Sequence, residues 1–171
     1  MIVGFAMTEE WQMDVKGYGL IRVSKELLTK LCDFRQLAKQ SAESGGVLIG
    51  KHLNSAGVLL IDQLTPPQKS DKQGRCEFYR STEHNKLVND IWQKSNKHST
   101  YVGLWHSHPE PTPNYSLVDK QDWQNALIQS KYEGNKLFFV IVGQTHIRMW
   151  MGTKSTLRTQ ISLIGEYKIG N

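Results

Sequence analysis

The stretch "GLWHSHPEPTPNYSLVDKQDW", from Gly103 to Trp123, holds residues whose types and spacing suit a metal ion. His106 and His108 stand one residue apart. On a strand, side chains alternate with period two, so both imidazoles leave the same face and their nitrogens converge. Pro109, Pro111 and Pro113 cannot continue a central strand, and the chain must leave the sheet as a loop. A helix can begin at Ser116, and Asp119, three residues on, then lies on the same helical side. Asp119 supplies a third ligand. Two imidazoles and one carboxylate leave the fourth tetrahedral position of zinc to water, the arrangement of a catalytic ion rather than a structural one.

Each piece also has a plain explanation. H-x-H on a strand can be two half-exposed polar residues. Ser116-x-x-Asp119 ahead of a helix is close to a capping box, with Asp in place of Glu. It is the two pieces together, joined by a turn-forming loop, that favour a site. A hydrolytic metal also needs a proton acceptor, and "SAESGGVLIG" offers Glu43. Glu43 is expected at the junction of a long helix and a Gly-Gly strand, where its charge opposes the helix dipole. The other reading of Glu43 is a solvated carboxylate at a helix end.

These residues need elements to hold them. "LIRVS" (Leu20–Ser24) reads as the end of a strand, and Ser24 can cap a helix running to about Ala42, with Leu27, Leu28, Leu31, Leu37 and Ala38 on its buried face. "SGGVLIGKH" and "GVLLIDQL" read as strands, the second ended by Pro66 and Pro67. Residues 68–76 read as an exposed loop. Thr82 to about Ser95 reads as a helix with Leu87, Val88, Ile91 and Trp92 on one face. "TYVGLWHSH" reads as a strand, Ser116 to about Gln129 as a helix, and "KLFFVIVG", "HIRMWMG" and "TLRTQISLIGEYKI" as strands. The pattern predicts an α/β fold, one mixed sheet with helices on both faces.

The 171 residues suit a single domain, 1–171, large enough for a hydrophobic core. No apolar run reaches the roughly 20 residues of a membrane span, and the N-terminus turns acidic without a basic region, unlike a secretory leader. Cys32 and Cys76 form no C-x-x-C pair, as suits a reducing, cytoplasmic setting. The net charge of +5 and pI of about 9.2 are compatible with nucleic acid, but the basic residues are scattered and no binding motif accompanies them. Trp105 and Trp123 read as packing residues that could also grip a peptide. His52, His84, His98 and His146 lack partner spacing and read as structural or surface residues. Cys76 is given no role. Arg75, Phe78 and Arg80 are either substrate-tail contacts or ordinary edge-strand residues.

"ESGGVLIG", then "HSHP", seven residues from His108 to Ser116, and Asp119 three further on resemble the JAMM motif of the JAB/MPN metallopeptidases: Glu, H-[S/T]-H, seven residues, S-x-x-D. The resemblance covers about Ser24 to Gly152 of a core spanning about 20–152. It implies a cytidine-deaminase-like MPN/JAB fold and hydrolysis of a peptide or isopeptide bond at a ubiquitin-like C-terminus. It further implies one zinc per chain held by His106, His108 and Asp119, Glu43 as general acid/base, and Ser116 as oxyanion donor. "YVGLWHSHPEPTPNYSLVDKQDW" and "RCEFYRS" are most similar to small bacterial JAB proteins of CBASS anti-phage operons. The implied substrate is a protein conjugated in the manner of ubiquitin, such as a cGAS-like nucleotidyltransferase. The implied pathway partners are bacterial activating and conjugating-like enzymes. Three alternatives remain: a zinc hydrolase of a small amide or thiocarboxylate, a non-catalytic MPN interaction module, and a zinc deaminase. The deaminase would need H-x-E and P-C-x-x-C, and neither occurs.

Overall fold

An edge strand, β1 (Trp11–Val15), and its neighbour β2 (Gly19–Val23) open a computed structural model that describes residues 9–53 and 57–170. The N-terminal reading made on residues 1–8 lies outside the described residues. Ser24 then caps α1 (Lys25–Asp33), its side chain accepting from the Leu27 amide at 3.1 Å. Leu27, Leu28, Leu31 and Cys32 form the buried stripe of α1. The chain continues as β3 (Gly45–Leu53) and β4 (Val58–Leu64), a two-residue hairpin of β5 (Lys72–Gln73) and β6 (Phe78–Tyr79), and α2 (Glu83–Lys94). Then come β7 (Thr100–Ser107), α3 (Leu117–Gln129), β8 (Lys136–Val142), β9 (His146–Lys154) and β10 (Thr159–Lys168).

Among the described residues, eight strands form one mixed sheet in the order β1-β2-β4-β3-β7-β8-β9-β10. The pairs β2–β4 and β7–β8 are parallel and the rest antiparallel. A parallel pair needs a long crossover, and α3 provides it between β7 and β8. The β8 sequence "KLFFVIV" is buried at six successive positions, as a strand covered on both faces must be. One face carries α1 and a cluster containing Leu28, Ile61, Trp105 and Val140. The other carries α2 and α3 over Val47, Leu104, Trp123 and Phe139. Helices on both faces of a mixed α/β sheet are therefore as expected. The sheet curls until its edges meet, with the Trp11 and Tyr167 rings 5.7 Å apart. It reaches from Trp11 to Lys168, beyond the stretch expected from the motif, and β1 was not anticipated.

The first helix is a correction. It stops at Asp33 and not near Ala42, and Leu37 is exposed. Phe34 leaves the helix to pack on Trp105, with ring centroids 4.8 Å apart. Gln36 turns inward and is 1% exposed, its amide bonded to groups distant in sequence. Those tertiary bonds outweigh a local helical preference that amounts to only tenths of a kcal/mol per residue. Among the described residues, no helix is long and apolar enough to cross a membrane.

Candidate metal centre

His106 is the penultimate residue of β7, at the centre of the sheet, and His108 lies just past its end. Period two brings the imidazoles together, with Nε2 atoms 3.0 Å apart. The proline loop then returns the chain to Ser116, the N-cap of α3. Both sequence readings of Ser116 and Asp119 hold at once. Ser116 Oγ accepts from the Asp119 amide at 3.1 Å, and Asp119 Oδ2 accepts from the Ser116 amide at 2.8 Å, a complete capping box. The same carboxylate faces the histidines, Oδ1 3.3 Å from His106 Nε2 and Oδ2 3.1 Å from His108 Nε2. The cap therefore fixes the rotamer that a ligand would need.

A tetrahedral zinc with bonds of about 2.0–2.1 Å sets neighbouring donors about 3.3 Å apart. The imidazole nitrogens stand 3.0 Å apart and each lies 3.1–3.3 Å from one of the two Asp119 oxygens, close to that spacing, and the donor set of two imidazoles and a carboxylate suits the ion. The outer nitrogen of His108 also fits. Its Nδ1 is buried without a well-directed hydrogen bond, and Glu110 Oε1 lies 3.3 Å away. A ligating histidine turns its other ring N–H to such a carboxylate.

Glu43 is not at a helix end, so the helix-dipole argument falls. It lies in an extended segment two residues before β3, opposite the end of β7. The register pairs Gly45 with His106, and Ser44 and Ser107 continue it, each amide bonded to the other residue. One step further sets Glu43 against His108, with Oε1 3.7 Å from Nε2. Glu43 is 4% exposed. Burial pushes its carboxyl up to about 7, the His108 imidazole opposing the rise and the carboxylates of Asp119, Glu110 and Glu77 adding to it. Asp119 goes the other way. Burial would raise it, but hydrogen bonds from His106 and His108 hold it far below the usual carboxylate range. Burial lowers His106, whereas at His108 the surrounding carboxylates outweigh burial and raise it.

The two glycines of "ESGGV" are needed for close approach. A Cβ on Gly45 would stand 2.5 Å from the Phe78 ring, and one on Gly46 would stand 2.1 Å from the Thr65 carbonyl oxygen. Phe78 thus lies against β3 beside Glu43. From the metal group a groove of about 1090 Å³ runs between α2 and α3 over β3 and β7. Glu43, His106 and Asp119 line it, with Arg80, Asp122 and Phe78, and further out Trp92, Leu104, Tyr101 and Tyr132. A bulge at Val102, which the register skips, turns Tyr101 onto the same side as Leu104 and His106. The face of α2 expected to be buried is only half-buried, because Val88 and Trp92 form a groove wall. Residues 68–76 and 109–115 do not line it; Phe78–Thr82 do.

Of the residues singled out earlier, Phe78 and Arg80 line the groove, and Arg80 donates to both oxygens of Asp122 at 2.8 Å. Arg75 does not line it. Trp105 and Trp123 are packing residues, 0% and 1% exposed. Trp123 stacks on Phe139 at 4.6 Å and supports the His106 ring from 6.2 Å. His84 is structural: Nε2 pairs with Asp71 at 2.8 Å and Nδ1 with Thr65 Oγ1 at 2.7 Å. His52 and His98 are exposed, and His146 is half-buried. Spacing carried no signal for Gln36, Ser107, or the tyrosines of the groove.

A family model described as prokaryotic homologues of the JAB domain matches residues 24–153. A protein of an Escherichia coli strain named "CD-NTase/cGAS isopeptidase" is 32% identical over 77% of this chain and 80% of its own length. Another of that name from Vibrio cholerae serotype O1 is 29% identical over 79% and 82%. A third, from Pseudomonas aeruginosa, is 31% identical over 73% and 78%. The solution structure of a Desulfitobacterium hafniense protein has the same fold, with a TM-score of 0.54 and 16% identity over 83% of this chain and 88% of that one.

Proposed function

The chain belongs to the prokaryotic homologues of the JAB domain, and from that membership we propose that it is a zinc-dependent isopeptidase. Its substrate is a protein whose C-terminus is joined to a lysine amine, by analogy with its relatives a CD-NTase of a CBASS pathway. One observation carries the reading: two imidazoles and a capped carboxylate converge at the end of an open groove, with a buried, raised-pKa carboxyl 3.7 Å from one imidazole.

His106, His108 and Asp119 would hold the ion. When bound, zinc supplies Lewis acidity, which acidifies water and polarises a carbonyl. Glu43 takes the proton of the attacking water and hands it to the lysine nitrogen as the C–N bond breaks. A carboxyl near 7 can be base and then acid at neutral pH. Ser116 Oγ accepts the Asp119 amide, which leaves its O–H to donate to the carbonyl oxygen as charge gathers there.

The groove suits an extended chain. An isopeptide substrate joins a tail that ends at the bond to a folded target, and only the tail is slim enough to lie between two helices. A groove of this size favours that substrate over a small amide. The full Glu43, His106, His108, Ser116 and Asp119 set favours an enzyme over a binding module.

The test is release of the lysine-bearing target from a purified CD-NTase conjugate, followed by intact-mass spectrometry. Wild type with zinc should give two products separated at the isopeptide bond. His106→Ala should give none. Cleavage at another bond, or equal cleavage by His106→Ala, overturns the reading.

A further inference from the structure

We propose that Gln36 is a positioning residue for Glu43, setting the carboxylate against the metal group from outside the groove. The inference rests on the proposed acid/base role of Glu43.

The Gln36 side chain is 1% exposed and its amide is fully used. Nε2 donates to the Ser41 carbonyl at 3.0 Å and to the Arg75 carbonyl at 3.0 Å. Oε1 accepts from Ser107 Oγ at 2.9 Å. Those three partners are the three supports of Glu43. Ser41 lies in the segment that carries it. Arg75 follows Gly74, whose carbonyl takes the Glu43 amide at 2.7 Å, and Gln73, whose side chain donates to the Glu43 carbonyl at 3.1 Å. Ser107, between the two histidines, accepts the Ser44 amide at 2.9 Å through the same hydroxyl that donates to Gln36. Gln36 therefore ties the Glu43 segment, the β5–β6 hairpin and the histidine strand at one point. Its own carbonyl is held by Gln144 at 2.9 Å.

No other arrangement of the side chain would serve as well. An apolar residue leaves the Ser41 and Arg75 carbonyls and the buried Ser107 hydroxyl short of a partner, and a carboxylate would set oxygen against oxygen. A reacting group displaced by about 1 Å loses about 100-fold in rate. Loss of the tie should thus act on the chemical step and not on the groove.

Gln36→Met keeps the length of the side chain and removes its hydrogen bonds. Four proteins should be compared at equal zinc content: wild type, Gln36→Met, Glu43→Gln and the double variant. The substrate is a peptide of about ten residues copied from the CD-NTase C-terminus, joined to a fluorophore-bearing lysine ε-amine. For Gln36→Met, kcat should fall about 10–100-fold with KM within about twofold. In the Glu43→Gln background the same change should cost nothing further. An equal loss in both backgrounds, or a loss in KM alone, overturns the proposal.

Amide hydrogen exchange at Glu43 and Ser44 gives a readout without substrate. Exchange there should quicken by about tenfold or more in Gln36→Met, while β8 stays protected. Unchanged protection at both amides overturns the proposal. Should Gln36→Met fail to fold, Ser107→Ala removes one arm of the tie; because Ser44 loses its own acceptor in that variant, the readout is the Glu43 amide alone, which should exchange faster, and unchanged protection there overturns the proposal. If wild type cleaves nothing, the proposed function fails, and the exchange result still decides whether Gln36 holds Glu43.

Discussion

Glu43 and His108 face each other across the ends of two antiparallel strands, carboxylate Oε1 3.7 Å from imidazole Nε2. The pairing of Gly45 with His106 and of Ser44 with Ser107 sets that opposition. The proposed acid/base and one proposed metal ligand are thus held by one ladder. Glu43→Gln leaves the ladder and all three ligands in place. Zinc content should be unchanged, and cleavage of a lysine-linked conjugate should slow by about 10²–10⁴-fold. Rate and metal measured on one preparation decide it: equal rates remove the base, and lost zinc makes Glu43 a support of the metal.

Asp119 serves the helix and the metal group together, and its substitutions should separate the two. Asp119→Ala should lose most bound zinc and about 1 kcal/mol of stability, since the capping box is broken. Ser116→Ala should lose a similar amount of stability but keep its zinc, and should slow turnover by about 10²–10³-fold through loss of the oxyanion donor. Metal analysis and thermal unfolding on both variants check this. Full zinc retention by Asp119→Ala would show another ligand set.

Asp71 lies under the groove wall, its carboxylate accepting from the Gln68 and Ser81 amides at 2.7 Å each and paired with His84 at 2.8 Å. Burial acts to raise its pKa, but these bonds together outweigh it and bring the value to about 2. The folded value lies below the unfolded one of 3.8. The contribution is therefore complete at neutral pH and is lost as pH falls from about 4 to about 2. It should amount to ~2 kcal/mol. Denaturant titrations of wild type and Asp71→Asn should show a large gap at pH 7 that closes toward pH 2. A gap constant with pH would mean that the carboxylate's charge plays no part.

Tyr101 and Trp92 line the outer groove, Tyr101 five residues of strand from His106, about 17 Å at the rise of β structure, and Trp92 on α2. Tyr101→Ala or Trp92→Ala should raise KM for a tail-bearing substrate by about 5–30-fold, the worth of 1–2 kcal/mol, with zinc unchanged. A bound tail peptide should slow hydrogen exchange in Phe78–Thr82 and α2. Protection confined to residues 109–115 would place the substrate elsewhere.

The convergence of His106, His108 and Asp119 was legible in the sequence because each of its parts is a short-range relation. Period two on a strand places His106 beside His108, and a helix N-cap places Asp119 over Ser116; neither needs a distant partner. The same locality made β2, β3, β4, β7, β8, β9, β10, α2 and α3 legible, though not β1 or the short β5–β6 hairpin. It also misled at α1, where a run of good helix formers reads on to Ala42 while the chain leaves the helix after Asp33. What drew it away is the Gln36 amide, whose partners Arg75 and Ser107 lie 39 and 71 residues along the chain. The opposition of Glu43 and His108 likewise exists only once β3 pairs with β7 in one register. The groove exists only because α2 and α3 stand apart over those strands, with a bulge turning Tyr101 into the gap. Local sequence determines which residues share a strand face or a helical turn; register and packing, summed over many weak long-range contacts, decided which of them meet.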